Sequence, residues 1–255
     1  MDPRALATLG VLGVAVLAID VIQRLAVAPL SRILRPERSA RLLTGWQRFT
    51  ITVSFGILRR LGGARLDLPG KIPAEPGVLV LMNHQSLIDI PFVVISMSGV
   101  YPRIVTRARY AARIPAISHM IRLYRYPLVD PGNTTRRSMD ELGRAAASSR
   151  HPLVIYPEGT RTRNGRIGRF KLLGLATILR ARRWQVYVLV VDGLWKWQRL
   201  KDLVGNLSSI RVAARTMGPY RSPPPGDDPR PFIGEMRRVM TGMLTEMRAP
   251  GGAAP

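Results

Sequence analysis

The sequence predicts an α/β fold: a single domain with a largely parallel central sheet flanked by helices, preceded by N-terminal helices that associate with a membrane. From residue 76 onward, short apolar runs alternate with stretches of helical spacing, which is typical of parallel strands joined by helices. Before that point, residues 5–22 form an apolar run that suits a bilayer, since a span takes about 20 residues. We therefore divide the 255-residue chain into membrane-anchoring helices at 1–62, the α/β domain at 63–218, and a linker with a C-terminal amphipathic helix at 219–255.

The N-terminal apolar run is interpreted as a membrane anchor. A buried core helix and a cleaved signal peptide are the alternatives, because Asp20 is costly in lipid and residues 26–28 have a small-x-small pattern. Arginines are dense after the run and sparse before it, so we expect the protein at the cytoplasmic membrane with its α/β domain facing the cytoplasm. Residues 42–61 combine aromatic side chains with arginines and are interpreted as an interfacial helix, with an ordinary surface helix as the alternative.

The remaining elements are predicted from the lengths of the apolar runs and of the stretches between them. Predicted strands cover residues 77–82, 103–106, 123–129, 152–156 and 186–191. Predicted helices cover residues 87–97, 134–149 and 172–183. After a Pro/Gly-rich linker at 222–226, methionines recur at helical spacing, which predicts a C-terminal helix docked on the core.

The charge of the chain indicates a partner that carries phosphate. The sequence holds 39 Lys and Arg against 16 Asp and Glu, a formal net charge of +23, and nearly all of the excess is arginine. Nucleic acid, anionic lipid head groups and phosphorylated small molecules are the candidates. The arginines are spread along the chain, the N-terminus is apolar, and no nucleic-acid-binding signature is present. We therefore expect anionic membrane lipids as partners and no nucleic acid.

The scarcity of cysteine and histidine restricts the chemistry. Without cysteine the chain forms no disulfide, has no thiolate nucleophile and has no cysteine-ligated metal site. With only three histidines, a histidine-rich metal centre is not expected either. We expect neither a metal nor a resident cofactor.

Two polar loops follow predicted strands, where ligands bind in open α/β sheets. In the first loop, His84 is the one histidine with a carboxylate, Asp89, close behind it in sequence. On one continuous helix the two side chains would point about 140° apart, but with His84 in a loop and Asp89 in the first helical turn they can meet. A carboxylate on one ring nitrogen leaves the other nitrogen free to act as a base. The alternative is an unrelated loop histidine and helix-start aspartate.

The second polar loop, at residues 158–161, contains a glycine turn followed by an arginine at a strand end. Such an arginine suits bidentate binding of phosphate. The dense positive charge that continues through residue 171 also fits a solvated surface segment.

The two loops together resemble a known family. Asn83-His84-Gln85-Ser86-Leu87-Ile88-Asp89 and Tyr156-Pro157-Glu158-Gly159-Thr160-Arg161 are similar to the first and third blocks of the glycerolipid acyltransferases. The resemblance covers roughly residues 77–193. It implies that His84 is the catalytic base and Asp89 its partner, that Gly159 and Arg161 bind the acceptor, and that Glu158 and Thr160 shape the loop.

The activity that the resemblance implies is transfer of a fatty acyl group from acyl-CoA or acyl-carrier protein to a lysophospholipid. The acceptor implied is 1-acyl-glycerol 3-phosphate, which would give phosphatidic acid. The alternatives are acylation of another lipid, such as lyso-ornithine lipid or a glycolipid, and a non-catalytic basic protein that binds a membrane surface or nucleic acid.

The second block of the family departs from its usual pattern in this chain. Its lysine position holds Ala108, flanked by Arg107 and Arg109, and Pro131 stands where an arginine is expected. Because this block helps to hold the acceptor in the family, the departures leave the identity of the acceptor open. Arginines of this region could supply the phosphate contacts instead; they are Arg107, Arg109, Arg113, Arg122 and Arg125.

Overall fold

The computed structural model describes residues 3–249 apart from residues 87, 113, 115–116, 131, 133 and 198–206. Its helices are α1 (Pro3–Ile22), α2 (Ala28–Ile33), α3 (Pro36–Arg60), α4 (Asp89–Ser96), α5 (Ile117–Leu123), α6 (Arg136–Ala147), α7 (Leu172–Ala181) and α8 (Arg230–Arg248). Its strands are β1 (Arg65–Leu66), β2 (Val78–Met82), β3 (Arg103–Ile104), β4 (Thr106–Arg107), β5 (Leu128–Val129), β6 (Leu153–Ile155), β7 (Gln185–Asp192) and β8 (Arg211–Arg221).

The main sheet has six strands in the order β1-β8-β7-β2-β6-β3. Strands β7, β2, β6 and β3 are parallel to one another, and β8 joins β7 antiparallel. Every residue of β2 is buried, as expected for a central parallel strand covered on both faces. The sheet and its flanking helices confirm the predicted fold class.

Two predicted strands differ from the structure, and one long observed strand was missed. The strand predicted at 123–129 is wrong over residues 123–127, because α5 ends at Leu123 and a turn follows it, with the N–H of Tyr126 bonded to the carbonyl of Ile121, so that β5 covers only Leu128–Val129. The strand predicted at 103–106 divides between two sheets, since β3 pairs with β6 and β4 pairs with β5. Strand β8 was not predicted, because its polar alternation and its Gly-Pro pair conceal it.

Two hydrophobic clusters, one on each face of the sheet, form the core. One cluster joins the sheet to α3 and α4, and the other joins it to α6, α7 and α8. In α8, Met236, Met240 and Met243 are buried against this second cluster, so the methionine stripe docks on the core as predicted. The C-terminal helix is thereby held against the domain.

The N-terminal helices form one continuous rod, Pro3–Ile33, long and apolar enough to cross a membrane by length and composition. Only 11% of its most apolar window is buried, so the core-helix interpretation is wrong. A π-helical turn, Gln23–Val27, interrupts the rod just before Pro29. Because a proline ring clashes with the carbonyl four residues earlier, here that of Leu25, a widened turn at this point is physically expected. Helix α3 then packs one face on the domain, where it buries Leu43, Gln47, Ile51, Phe55 and Leu58.

The topology brings three loops to one edge of the sheet. Strands β2, β6 and β7 are parallel neighbours, so their carboxyl ends lie side by side. The loops that follow them begin at Asn83, Tyr156 and Gly193. Residues far apart in sequence therefore meet at this edge.

Candidate functional site

His84 and Asp89 lie in contact at the carboxyl edge of the sheet, as the sequence predicts. Nδ1 of His84, in the loop after β2, lies 2.9 Å from Oδ2 of Asp89, the first residue of α4. The same carboxylate oxygen accepts the backbone N–H groups of Gln85 and Ser86 at 2.5 and 2.8 Å. Asp89 is fully buried, whereas the side chain of His84 keeps 19% exposure. The pair is thus rigid at the carboxylate and accessible at the imidazole.

The position of Asp89 determines the tautomer of the imidazole. With the carboxylate on Nδ1, that nitrogen carries the proton, and Nε2 carries the lone pair. The first turn of α4 also favours a negative charge, because the helix dipole presents its positive end there. This arrangement can remove a proton from a hydroxyl group placed at Nε2.

Tyr156 packs against the imidazole of His84. The ring centroids of the two side chains are 4.4 Å apart, with an interplanar angle of 32°. The hydroxyl of Tyr156 is buried and has no hydrogen-bond partner among the described residues. Burial, and next the nearby charge of Asp89, raises the pKa of Tyr156 well above its usual value, so it stays a neutral phenol.

Glu158 links the second loop to the first. Its carboxylate accepts the N–H of His84 at 3.1 Å and the N–H of Gly168 at 2.7 Å. The N–H of Thr162 donates to the carbonyl of His84 at 2.8 Å, so both backbone polar groups of His84 are held by the loop after β6. Burial raises the pKa of Glu158.

A tight turn at Gly159 follows Glu158. Gly159 has a φ of +63°, which favours glycine because a Cβ strains this conformation; the contact that a Cβ would make, 2.9 Å from Cδ of Lys171, can be relieved by a shift of the flexible lysine side chain. Its N–H bonds the carbonyl of Tyr156 at 2.9 Å. The guanidinium of Arg107, at the end of β4, donates to the carbonyl of Gly159. Arg107 therefore braces this turn.

The other sequence-predicted binding residues take different positions. Arg161 is half-buried in the loop between Glu158 and Thr162, and Thr160 is exposed beside it. Arg109 is exposed in the short 3₁₀ helix after β4 and contacts Tyr110, with a guanidinium nitrogen 2.9 Å from the hydroxyl and the guanidinium carbon 4.8 Å from the ring centroid.

Two of the arginines suggested for phosphate contacts lie away from this edge. Arg122 and Arg125 line a separate cavity beside the N-terminal helices. Arg113 lies outside the described residues, as do Leu87 of the first motif and Pro131 of the second block.

Two residues that we did not assign a role hold the first loop to β7. The side-chain amide of Asn83 donates to the carbonyl of Val191 and accepts the N–H of Val191, both at 2.8 Å. The side-chain oxygen of Gln85 accepts the N–H groups of Leu194 and Trp195 at 2.9 and 3.1 Å. Both side chains are buried. The feature of the sequence that could have indicated this role is a pair of amide residues directly after a wholly apolar strand.

Asp192, at the end of β7, extends this network to the C-terminal helix. It accepts a hydrogen bond from the Gln85 amide at 3.2 Å, and Arg248 of α8 binds both of its carboxylate oxygens at 2.7 and 2.6 Å. Burial opposes ionisation of this carboxyl, but the hydrogen bonds from Arg248 and Gln85 lower the pKa of Asp192. Arg248 also donates to the carbonyl of Gly165 at 2.8 Å, in the loop that carries Arg161.

Comparisons with known proteins bear on the family and the fold. Residues 65–191 match the family model described as Acyltransferase. The solved structure of the 1-acyl-sn-glycerophosphate (LPA) acyltransferase PlsC from Thermotoga maritima is similar, with a TM-score of 0.72 over 97% of this chain and 98% of that one. The two sequences are 18% identical, so this likeness establishes the fold. No curated protein sequence matches the chain significantly.

The family match spans the strands and loops that carry His84, Asp89 and the turn at Gly159, and the solved acyltransferase has the same arrangement of sheet and helices over nearly its whole length. The chain belongs to the glycerolipid acyltransferase family.

Proposed function

We propose that this protein transfers a fatty acyl group from acyl-CoA or acyl-carrier protein to the free hydroxyl of 1-acyl-glycerol 3-phosphate, giving phosphatidic acid. The observation that carries the proposal is the His84–Asp89 pair, with 2.9 Å between Nδ1 and Oδ2 and the imidazole accessible. The similar structure from Thermotoga maritima is that of an LPA acyltransferase, which supports the choice of acceptor.

In this reaction Nε2 of His84 takes the proton of the acceptor hydroxyl as its oxygen attacks the thioester carbonyl carbon. The tetrahedral intermediate collapses with cleavage of the carbon–sulfur bond. The imidazolium returns its proton to the departing thiolate, so the products are the ester and the free thiol. Asp89 stabilises the imidazolium that forms between the two transfers.

The acceptor phosphate is proposed to bind at Arg161. Arg161 stands between Glu158 and Thr162, both of which are hydrogen-bonded to the backbone of His84. An acceptor phosphate at this loop would lie beside the imidazole that receives the hydroxyl proton, because the two loops are joined at His84. Arg107 maintains the turn through its bond to the Gly159 carbonyl.

The rod Pro3–Ile33 is proposed to anchor the enzyme in the cytoplasmic membrane, with the domain on the cytoplasmic side. Large apolar side chains are exposed along the rod, among them Val14 at 68% and Leu17 at 58%. The basic residues that follow the rod suit anionic lipid head groups on the cytoplasmic side.

Replacing His84 by alanine should lower turnover by about 10²- to 10⁴-fold, the usual effect of removing a general base. The protein should stay folded, because the imidazole is partly exposed. Asp89→Asn should be impaired less, since an amide oxygen can still accept the backbone N–H groups. Purified variants are assayed with labelled acyl-CoA and lysophosphatidic acid, and folding is checked by circular dichroism. A folded His84→Ala protein with undiminished turnover would contradict the mechanism.

Replacing Arg161 by lysine should raise the KM for lysophosphatidic acid about ten- to a hundredfold. A charge-assisted hydrogen bond contributes roughly 1.5–3 kcal/mol, lysine cannot reproduce the guanidinium fork, and each 1.4 kcal/mol is about tenfold. The KM for the thioester should change little. Arg163→Lys, in an exposed position two residues further on, is the matched control. The same kinetics with a phosphate-free lysolipid decide the role: equal weakening of both acceptors would exclude Arg161 as the phosphate ligand.

Replacing Arg248 by alanine should lower kcat about three- to tenfold with less than a twofold change in either KM, because Arg248 acts on the His84 loop through Asp192 and Gln85. Arg248→Lys should recover part of the loss, and Arg238→Ala, exposed on the same helix, should have no effect. A lower melting temperature with unchanged kcat would show that Arg248 only attaches α8 to the domain.

The same variant should change the acid stability of the protein. The lowered pKa of Asp192 means that its ionised form stabilises the fold above the ordinary value of 3.8, and that this contribution is lost as pH falls through the lowered value. The difference in melting temperature between wild type and Arg248→Ala should therefore be largest at neutral pH and shrink in strong acid, where only the bond from Arg248 to the Gly165 carbonyl remains. A difference independent of pH would contradict the ion pair.

Placing lysines at Val14 and Leu17 should release the protein from membranes, since each charge at the centre of a spanning helix costs about 2.5–3.5 kcal/mol. Both positions are exposed, so the fold should tolerate the change. Leu173→Lys, 55% exposed on α7, is the matched control and should stay membrane-bound. Liposome flotation and carbonate extraction measure the difference. Retention of the double variant would contradict the anchor.

A further inference from the structure

A cavity of about 640 Å³ lies apart from the His84 site, between the bend that joins α2 to α3 and the amino ends of β3 and β6. Arg32 lines it from the bend, and Arg103 and His151 line it from the sheet. Leu79 of β2 is paired with Leu153 of β6 in the parallel sheet. His151 precedes this pair by two residues and His84 follows it by five, so the two histidines are separated by about seven residues along the strand direction. At about 3.3 Å per residue the two sites are roughly 20 Å apart, at opposite edges of the sheet.

The cavity is strongly cationic. Four arginines line it, and none of the described lining residues is acidic; the arginines are Arg32, Arg103, Arg122 and Arg125. Burial, followed by a neighbouring arginine, lowers the pKa values of His119 and His151, which also line the cavity, so both are neutral at pH 7. The positive charge therefore comes from the guanidinium groups, which repel one another unless an anion lies between them.

Arg103 leaves a hydrogen-bond donor unsatisfied inside the protein. Its Nε is buried and has no partner among the described residues. Buried donors are rarely left unpaired, because desolvation without a compensating hydrogen bond is unfavourable. A shift of the Arg103 side chain toward an anion bound in the cavity would pair this donor.

Arg125 adopts a backbone conformation that normally belongs to glycine. Its φ is +51°, and it is the one non-glycine residue with a positive φ among the described residues. It follows the C-terminal turn of α5, where glycine is the usual residue because a Cβ strains this conformation. An arginine here places a guanidinium in the cavity at a cost in backbone strain, which points to a use for the side chain.

We propose that this cavity binds a phosphate-bearing anion, presented as the head group of an anionic membrane lipid. Guanidinium groups bind phosphate oxygens bidentately, and four of them exceed the charge of one phosphate. The lipid is favoured over free phosphate because the rod that contributes Ser31 and Arg32 to the lining exposes large apolar side chains, with Leu25 at 76% and Ile33 at 82%. The site would orient the domain on the membrane from the edge opposite the His84 site.

Calorimetric titration of the full-length protein in maltoside detergent tests the proposal. The probes are dihexanoyl phosphatidylglycerol, dihexanoyl phosphatidylcholine and inorganic phosphate. We expect phosphatidylglycerol to bind at least about tenfold more tightly than inorganic phosphate, because the glycerol and acyl carbons add apolar contacts, and phosphatidylcholine not to bind measurably. Equal affinity for phosphatidylglycerol and inorganic phosphate would overturn the lipid as the source of the anion.

Two variants test the residues. Arg125→Gly suits the backbone conformation and should keep or raise the melting temperature, and Arg32→Ala changes an exposed side chain. Each should weaken phosphatidylglycerol binding about tenfold or more, while Arg238→Ala, which also removes one charge, should not. Wild-type affinity in both variants, or equal weakening by Arg238→Ala, would overturn the site.

An acyl-transfer assay separates this site from the proposed catalytic one. Arg125→Gly and Arg32→Ala should keep turnover with a soluble acceptor within twofold of wild type, whereas His84→Ala should lose turnover and keep phosphatidylglycerol binding. Loss of turnover in both cavity variants would overturn the proposal, because the cavity would then belong to the acceptor site. Phosphatidylglycerol binding is measured without turnover, so the result tests the cavity even if the protein acylates a lipid other than lysophosphatidic acid.

Discussion

A single carboxylate oxygen, Oδ2 of Asp89, organises the candidate site. It accepts hydrogen bonds from Nδ1 of His84 and from the backbone N–H groups of the two residues that follow His84. The loop after β2 is therefore wrapped around the first residue of α4, and the imidazole cannot rotate without breaking its bond to Oδ2. A carboxylate held in this way stabilises one tautomer, which is the condition for Nε2 to act as a base.

That interaction depends in turn on the parallel sheet. Strands β2, β6 and β7 end at the same edge, and each contributes a loop that bonds to the backbone or side chains around His84. Glu158 reaches from the loop after β6, and Asp192 reaches from the end of β7. Arg248 binds Asp192 and so attaches the last helix, α8, to this edge of the sheet. The C-terminal helix thereby supports the loop after β2 through Asp192 and Gln85. The loop that carries the proposed base, His84, is therefore held by contacts from α4, from the loop after β6 and from the end of β7.

In our interpretation, the excess arginines bind phosphate at both edges of the sheet. At the carboxyl edge, Arg107 braces the turn at Gly159, and Arg161 is the proposed ligand of the acceptor phosphate. At the amino edge, arginines gather in a cavity beside the exposed apolar rod. The two edges would then bind phosphate for different purposes, one for acyl transfer and one for attachment to the membrane surface.

The sequence by itself determined the central strands of the sheet and the two motifs. The apolar runs predicted β2, β6 and β7, because buried parallel strands consist of uninterrupted apolar residues. The His84–Asp89 contact was predicted because His84 lies in a loop and Asp89 in the first turn of the helix that follows it. Only the tertiary structure decided which distant residues support that pair. The contacts of Glu158, Asn83, Gln85 and Arg248 join residues as much as 110 positions apart, and spacing within one segment carries no information about them. For the same reason Arg125 looked like an acceptor ligand in sequence and lies at the opposite edge in space, since strand direction and not chain proximity sets which edge a residue occupies.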